Sequence, residues 1–252
     1  MNAFYERTPG LDTNTQYKVM RSGYAWALSM IPDAENKVLL DCACGQGYGA
    51  ELMAAKAKKV IGVDISPAAI EACRAAYAGA NISFERMDAL KLDFPDNSFD
   101  GVVSQDTIEH VQDDGAFLAE VRRVLKPGGT FVVFTPHSPA HNLKPANPYH
   151  LREYSLDSFD KLLSGYFSGI KYYGRRLSPE LTALEKELSA VRSRDFFGLR
   201  RLLPVRLRHF VAGALARAKG LSGPAEIGER DAEFLEGVGN SPTIIAVCSK
   251  SL

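Results

Sequence analysis

The feature that most constrains the fold is a series of short, uninterrupted apolar runs that alternate with helical segments over residues 38–135. Runs such as 38–42 (VLLDC), 60–64 (VIGVD) and 130–135 (TFVVFT) lack the alternation of apolar and polar residues expected of a half-buried strand. Such runs are typical of strands that are covered on both faces. Because helical segments separate them, the sequence predicts an α/β fold with a doubly wound, mostly parallel sheet.

The same patterns predict the remaining elements and the organisation of the chain. Further strands are expected at 82–84, 100–104, 167–174 and 243–250, and helices at 50–58, 66–77, 113–125 and 155–164. This makes a seven-stranded sheet in one domain, 1–252. Its predicted parts are an N-terminal cap-helix region (1–36), a core (37–174), a helical insertion (175–241) before the last strand, and that strand (242–252).

Charge and cysteine content exclude several classes of protein. Thirty Lys and Arg balance thirty Asp and Glu, which argues against a general nucleic-acid binder. The N-terminus does not match a secretory signal, and no apolar run approaches the roughly 18–20 residues that cross a bilayer. The four cysteines lack paired metal-ligand spacing, so we expect a reduced, cytoplasmic protein without a bound metal.

A glycine-rich loop, 43–49, lies between a predicted strand and a predicted helix. Glycines there allow a sharp turn and close approach of a ligand to the helix N-terminus. The spacing Gly45-x-Gly47-x-x-Ala50 satisfies the dinucleotide-binding fingerprint, which is weak evidence by itself. Asp64 ends the next strand, where a carboxylate can bind the hydroxyls of a ribose.

Two further acids narrow the choice of ligand. Asp41 precedes the loop, where a carboxylate is unfavourable beside a pyrophosphate but suits a cationic or amino-acid group. Asp88 follows the third strand and could accept a hydrogen bond from an adenine amino group. S-adenosyl-L-methionine, with an adenosine, a charged tail and no phosphate, fits this set. A nicotinamide-dependent oxidoreductase and a non-catalytic binding module on the same fold remain alternatives.

Five segments, in order, carry a family resemblance: VLLDCACGQGYGAELMA, VIGVDISPAAI, ISFERMDALKLDFPDNSFDGVVSQDTIEHV, FLAEVRRVLKPGGTFVVFTP and NPYHLREYSLDSF. On these, the chain resembles the class I S-adenosylmethionine-dependent methyltransferases over most of its first 175 residues. The resemblance implies a Rossmann-like methyltransferase fold and S-adenosyl-L-methionine as cofactor. Ala43 departs from the family loop, where a glycine often stands.

The resemblance also implies roles for individual residues. A cap helix over Thr15–Met30 would offer two candidate contacts to the methionine carboxylate, Tyr17 and Arg21. The other implied cofactor contacts are Asp41, Ala43, Gly45 and Gly47 around the methionine part, Asp64 at the ribose, Ile65 beside the adenine ring, Asp88 and Ala89 at the adenine edge, and Gln105 at the floor of the site.

Methyl transfer from a sulfonium is an in-line displacement that needs alignment and exclusion of water, but no metal or covalent nucleophile. A hydroxyl acceptor also needs a general base, for which histidine is suited. His110 follows strand four and His137 follows strand five, both at the carboxyl edge where ligands bind. Each is a candidate catalytic base or acceptor contact, and a cofactor-side or structural role is equally open for His110. His150 is expected to order the acceptor-side loop.

The segment 191–220 stands apart in charge, with eight Lys and Arg against one acid. Three interpretations are open: a helical lid or homodimer element, a basic amphipathic helix on an anionic membrane surface, and contact with an anionic acceptor. The predicted function is methyl transfer to a small-molecule or sugar acceptor. Hydroxyl oxygen is the first choice of acceptor atom, and nitrogen remains an alternative. No nucleic-acid partner is expected, since an RNA-binding module is not evident.

Overall fold

The computed structural model describes residues 13–77, 79–145, 147–179, 182 and 232–251. The chain divides into two compact units: Met1–Ser22 with Arg176–Glu233, and Gly23–Arg175 with Phe234–Leu252. The second is called the core unit below. The basic segment 191–220 lies outside the described residues, so its three interpretations stay predictions. In the described ranges, no helix is both long and apolar enough to cross a bilayer.

The order of elements follows the prediction closely. The described helices are α1 (Thr13–Ser29), α2 (Tyr48–Ala54), α3 (Pro67–Ala76), α4 (Asp114–Val124) and α5 (Leu156–Leu163). The described strands are β1 (Val38–Cys42), β2 (Lys59–Asp64), β3 (Ile82–Arg86), β4 (Phe99–Gln105), β5 (Leu125–Pro136), β6 (Ser168–Leu177), β7 (Ala232–Glu236) and β8 (Thr243–Ser249).

The strands form one sheet in the order β3-β2-β1-β4-β5-β8-β6-β7. The five strands β1 to β5 pair in parallel, whereas β8 runs antiparallel to both β5 and β6. The predicted doubly wound, mostly parallel sheet is confirmed. The strand order reverses between β1 and β4, and in such sheets the crevice at that point is where ligands bind.

One part of the prediction was wrong. β7 lies within 175–241, the range predicted as helical, and it gives the sheet eight strands instead of seven. Its sequence, AEFLE, carries exposed Glu233 and Glu236, and acidic residues are depleted in strands. Since β7 lies at the edge of the sheet, its exposed side chains need not be apolar, and the strand signal is therefore weak.

Apolar side chains cover both faces of the sheet. Neighbouring residues on a strand, such as Leu39 and Leu40, belong to two different core clusters because successive side chains point to opposite faces. The helices begin as their sequences predict: Ser66 Oγ accepts a hydrogen bond from the Ala69 amide, and Pro67 occupies the first turn. These packed layers hold the strand ends, and the loops that follow them, in place.

Candidate functional site

The glycine-rich loop lies where β1 passes into α2, and its backbone adopts unusual angles. Gly45 and Gly47 have φ values of 54° and 77°, and Ala43 has a φ of 65°. A Cβ on Gly47 would lie 2.7 Å from Cys73 Sγ and 2.9 Å from the Phe84 ring. The loop therefore needs glycine at position 47 for both conformation and space, whereas Ala43 accepts a left-handed conformation that costs an alanine roughly 1–2 kcal/mol.

Asp41, at the end of β1, is fully buried beneath this loop. Its Oδ1 accepts a hydrogen bond of 2.8 Å from the Tyr24 hydroxyl, and the Tyr24 ring lies where a Cβ on Gly49 would stand. Its Oδ2 is buried and accepts no hydrogen bond from the residues that the structure describes. Burial raises the pKa of Asp41 to about 7, although the Tyr24 hydroxyl and the Ala50 amide act to lower it. This carboxylate therefore lacks a partner for one oxygen.

Asp64, at the end of β2, joins the loop to the start of α3. Its Oδ2 accepts a hydrogen bond of 3.0 Å from the Gly45 amide, and its Oδ1 accepts one of 2.9 Å from the Ser66 amide. Each carboxylate oxygen can accept more than one hydrogen bond, so these contacts orient the group without saturating it. The next residue, Ile65, is 62% exposed, and its apolar side chain thus lies at the surface beside an ordered carboxylate.

The remaining cofactor candidates in the core unit follow β3 and β4. Asp88 is exposed, and its Oδ1 accepts a hydrogen bond of 2.9 Å from the Leu90 amide, which orders the turn that also holds the half-buried Ala89. Gln105 is buried at the end of β4, and a Cβ on Gly23 would lie 2.8 Å from its Oε1. Helix α1 therefore approaches this strand end at a glycine.

Tyr17 and Arg21, the two candidates on the cap helix, belong to the first unit. Arg21 Nη1 donates a hydrogen bond of 3.2 Å to the Tyr17 hydroxyl, and the guanidinium carbon lies 5.5 Å from the centre of the Tyr17 ring. The two side chains thus form a pair with each other. Their contact with a cofactor stays a prediction.

A second set of polar side chains follows β4 and β5. Glu109 is fully buried, and its Oε2 accepts a hydrogen bond of 3.0 Å from the Thr135 hydroxyl. Its Oε1 is buried and accepts no hydrogen bond from the described part of the chain. Burial, followed by the nearby negative charge of Asp106, raises the pKa of Glu109 well above its ordinary value. A buried carboxyl of this kind is a frequent feature of functional sites.

Two histidine rings meet beside Glu109. The rings of His110 and His150 lie edge to face with their centres 4.9 Å apart, and His110 Nε2 lies 3.8 Å from Glu109 Oε1. His110 Nδ1 lies 2.8 Å from the Tyr149 carbonyl oxygen, and His150 Nδ1 lies 2.9 Å from Glu153 Oε1. Since both of these oxygens accept, each Nδ1 carries a proton.

His137, the other candidate base, follows β5 and contacts the chain just before β8. Its Nδ1 lies 2.8 Å from the Ser241 carbonyl oxygen, and its backbone amide donates to the Pro242 carbonyl at 2.9 Å. The carbonyl again places the ring proton on Nδ1. In the neutral ring the lone pair is therefore on Nε2.

Sequence reasoning missed two residues of these sites, Tyr24 and Thr135. Tyr24 donates to Asp41 from a helix that precedes it by 17 residues, and Thr135 donates to Glu109 from the neighbouring strand. No motif contains either pair. Only the position of Thr135 in the sequence could have indicated its role. It closes an apolar run at a strand end, where polar side chains often contact ligands.

Comparison with known proteins agrees with this geometry. Residues 40–133 match the family model described as "Methyltransferase domain". A "Probable S-adenosylmethionine-dependent methyltransferase" of Mycolicibacterium smegmatis is 41% identical over 129 residues, which are 50% of this chain and 49% of that protein. The "Fatty-acid O-methyltransferase" of the same organism is 34% identical over 113 residues, covering 44% of this chain and 41% of that protein. The chain spans about half the length of the curated relatives it matches.

The fold also matches solved structures. Haemonchus contortus phosphoethanolamine N-methyltransferase 2, solved in complex with S-adenosyl-L-methionine, has a TM-score of 0.63 at 18% identity. The alignment covers 100% of this chain and 61% of that chain. At this identity the likeness concerns the fold, which is the one that the sheet order and the loop after β1 independently show. Residues 40–133 therefore match a methyltransferase domain, and the chain has the Rossmann-like fold of these methyltransferase structures.

Proposed function

We propose that this chain transfers a methyl group from S-adenosyl-L-methionine to a hydroxyl oxygen of a small-molecule or glycan acceptor. The observation that carries this proposal is the protonation pattern of His110 and His137. Both follow strands at the carboxyl edge of the sheet, and a backbone carbonyl holds the proton of each ring on Nδ1. The Nε2 lone pair is then the group that can take a proton from a hydroxyl.

The residues of the first site fit the cofactor. The buried, unpartnered Oδ2 of Asp41 is suited to the ammonium of the methionine part, because a buried carboxylate is costly without a cationic or hydrogen-bonding partner. Asp64, oriented by two amides, is suited to the ribose hydroxyls, and the exposed Ile65 to one face of the adenine. Asp88, Ala89 and Gln105 complete the proposed cofactor contacts.

When bound, S-adenosyl-L-methionine supplies a methyl group already activated on a sulfonium. The residues of this chain then have to hold the acceptor oxygen in line with that methyl and exclude water. A histidine Nε2 receives the acceptor proton, and a carboxylate stabilises the imidazolium that forms. Burial favours the neutral form of Glu109, and a positive charge on His110, with 3.8 Å between Nε2 and Oε1, would favour the ionised form that plays this part.

The similar proteins include methyltransferases of both oxygen and nitrogen. The fatty-acid O-methyltransferase of M. smegmatis acts on oxygen, whereas the similar nematode fold is a phosphoethanolamine N-methyltransferase. An amine acceptor loses its proton more readily and depends less on a base. The two histidines therefore favour oxygen as the acceptor atom. Nitrogen is the alternative, and the experiment must distinguish between the two.

The test is to incubate the full chain and labelled donor with a metabolite and glycan extract and to determine the product by mass and fragmentation. We expect an O-methyl product, and we expect His110→Ala or His137→Ala to lower turnover by about 100-fold while donor affinity is preserved. His141→Ala, at an exposed loop position, is the control. An N-methyl product, or full turnover in both histidine variants, would overturn the oxygen assignment. Donor binding without any methylated product would indicate a non-catalytic module.

A further inference from the structure

We propose that Glu109, His110 and His150 form a binding site for a divalent transition-metal ion of the Zn²⁺ type. One ligand atom from each residue, a carboxylate oxygen and two imidazole nitrogens, lies within 4.8 Å of the others. Two histidines and one carboxylate are a ligand set that favours Zn²⁺ or Fe²⁺ over Mg²⁺ and Ca²⁺, which prefer oxygen ligands alone. The spacing of the cysteines predicted no metal, whereas these ligands come from the segment after β4 and from a loop some forty residues farther along the chain.

The hydrogen bonds around the two rings present the correct atoms. A metal-binding histidine usually donates its other ring N–H to a carboxylate or a backbone carbonyl. Both arrangements occur here: His150 Nδ1 faces Glu153 Oε1, and His110 Nδ1 faces the Tyr149 carbonyl. Each Nε2 is therefore the nitrogen with the lone pair.

The third ligand, Glu109, is already oriented by a neighbouring side chain. Thr135 orients Glu109 through Oε2, while Oε1 is buried without a hydrogen bond from the described residues. An unpartnered carboxylate oxygen in an apolar environment is costly, and a cation offsets that cost. The group thus lacks the one partner that a metal would supply.

Closing the site requires a small movement. With metal–ligand bonds of about 2.0–2.2 Å, the ligand atoms of a tetrahedral site lie roughly 3.3–3.5 Å apart. His150 lies on the loop before Ser155, and a shift of its ring toward Glu109 would bring the three ligand atoms to this spacing. At present Asn147 Nδ2 lies 2.8 Å from His150 Nε2, and since an amide nitrogen only donates, this contact also places the lone pair on Nε2. A metal would take the place of Asn147.

This site goes beyond the proposed function, which needs no metal. Binding of the ion can also be measured without donor or acceptor, so the two proposals are tested separately. If the proposed function holds, a coordinated acceptor hydroxyl would have a lowered pKa. His137 would then be the general base, because the lone pair of His110 would be bound to the ion. The two histidine candidates thus receive different roles.

The experiment titrates tag-free, chelator-treated full chain with Co²⁺, followed by its visible absorption bands, and with Zn²⁺ by calorimetry. We expect one equivalent to bind, and affinity to fall by about 10–100-fold in His150→Gln, Glu109→Gln and the orienting variant Glu153→Gln. His141→Gln is the matched control and should bind as the parent chain does.

Failure of the parent chain to bind one equivalent below about 1 mM, or equal affinity in all variants, would overturn the proposal. Thermal unfolding checks that each variant is folded. If Glu109→Gln does not fold, His150→Gln decides, because that residue lies on a loop outside the helices and strands. Methyl transfer, assayed separately, shows whether the proposed function stands or falls independently of the metal.

Discussion

Two groups of polar residues at the carboxyl edge of the sheet are built in different ways: the proposed cofactor contacts, called the cofactor side, and the proposed acceptor contacts, called the acceptor side. On the cofactor side, Asp41 and Asp64 end adjacent strands, and the loop between β1 and α2 lies directly over them. On the acceptor side, Glu109 and His110 are completed by Thr135 and by a loop around His150. The cofactor side is therefore formed by the ends of two neighbouring strands and the loop that follows the first of them. The acceptor side combines residues that follow β4, a residue of β5 and a loop some forty residues farther along the chain, and we expect substrate choice to reside there.

The largest effect is expected from a substitution of Asp64, which should weaken donor binding on the cofactor side. In Asp64→Asn the side chain keeps its shape but cannot accept from both the Gly45 and Ser66 amides and from a ribose. We expect donor affinity, measured calorimetrically with S-adenosylhomocysteine, to fall by about 100-fold, since hydrogen bonds to charged groups contribute roughly 1.5–3 kcal/mol each. Exposed Asp93→Asn is the control. Unchanged affinity would show that Asp64 does not hold the ribose.

A second prediction concerns the stability that the chain loses by burying the Asp41 carboxylate. Its pKa is about 7 in the folded chain, against an ordinary value of 3.8. The folded state therefore binds a proton more tightly than the unfolded state, and this residue's contribution to stability falls as pH rises from about 4 to 7.

Asp41→Asn keeps the hydrogen bond from Tyr24 and removes the titration. We expect its unfolding free energy in urea to exceed that of the parent chain at pH 8 by a few kcal/mol, at about 1.4 kcal/mol for each pKa unit, and by less at pH 5. Donor affinity should fall in the same variant. If the difference in unfolding free energy between variant and parent chain were the same at pH 5 and pH 8, the raised pKa of Asp41 would be contradicted.

A substitution of Thr135 should affect the acceptor side without affecting donor binding. Thr135→Val removes the hydroxyl that orients Glu109 and leaves shape and volume almost unchanged. We expect turnover to fall about tenfold with donor affinity intact, because the buried carboxyl group of Glu109 loses the hydrogen bond that orients it. Thr130→Val, farther along the same strand, is the comparison. A parallel loss of donor affinity would mean that the two sides are coupled.

The smallest expected effect concerns Ala43, whose φ of 65° favours glycine. Ala43→Gly relieves the strain of the left-handed conformation but adds freedom to the unfolded chain, so we expect a gain in stability of up to about 1 kcal/mol. The melting temperature should rise by a few degrees while donor affinity stays the same. A lower melting temperature would indicate that the alanine methyl packs usefully in the loop.

The contrast between the two sides also explains what the sequence could predict. The strand runs, the glycine spacing and the acids at strand ends are local patterns, so the sheet and the positions of Asp41 and Asp64 followed from them. The pairing of His110 with His150 depends on how a 40-residue segment folds back, which no local pattern encodes. β7 escaped prediction because an exposed edge strand needs little apolar sequence.

The position of β8 has a consequence for the order in which this chain folds. β8 follows every other strand along the chain, yet it lies between β5 and β6 and pairs with both. Until residues 243–249 have been synthesised, β5 presents an unpaired edge and β6 has no place in the sheet. His137 meanwhile lacks Ser241, which orients its ring. A nascent chain can thus pair β1 to β5 first, and it orders the ring of His137 only later.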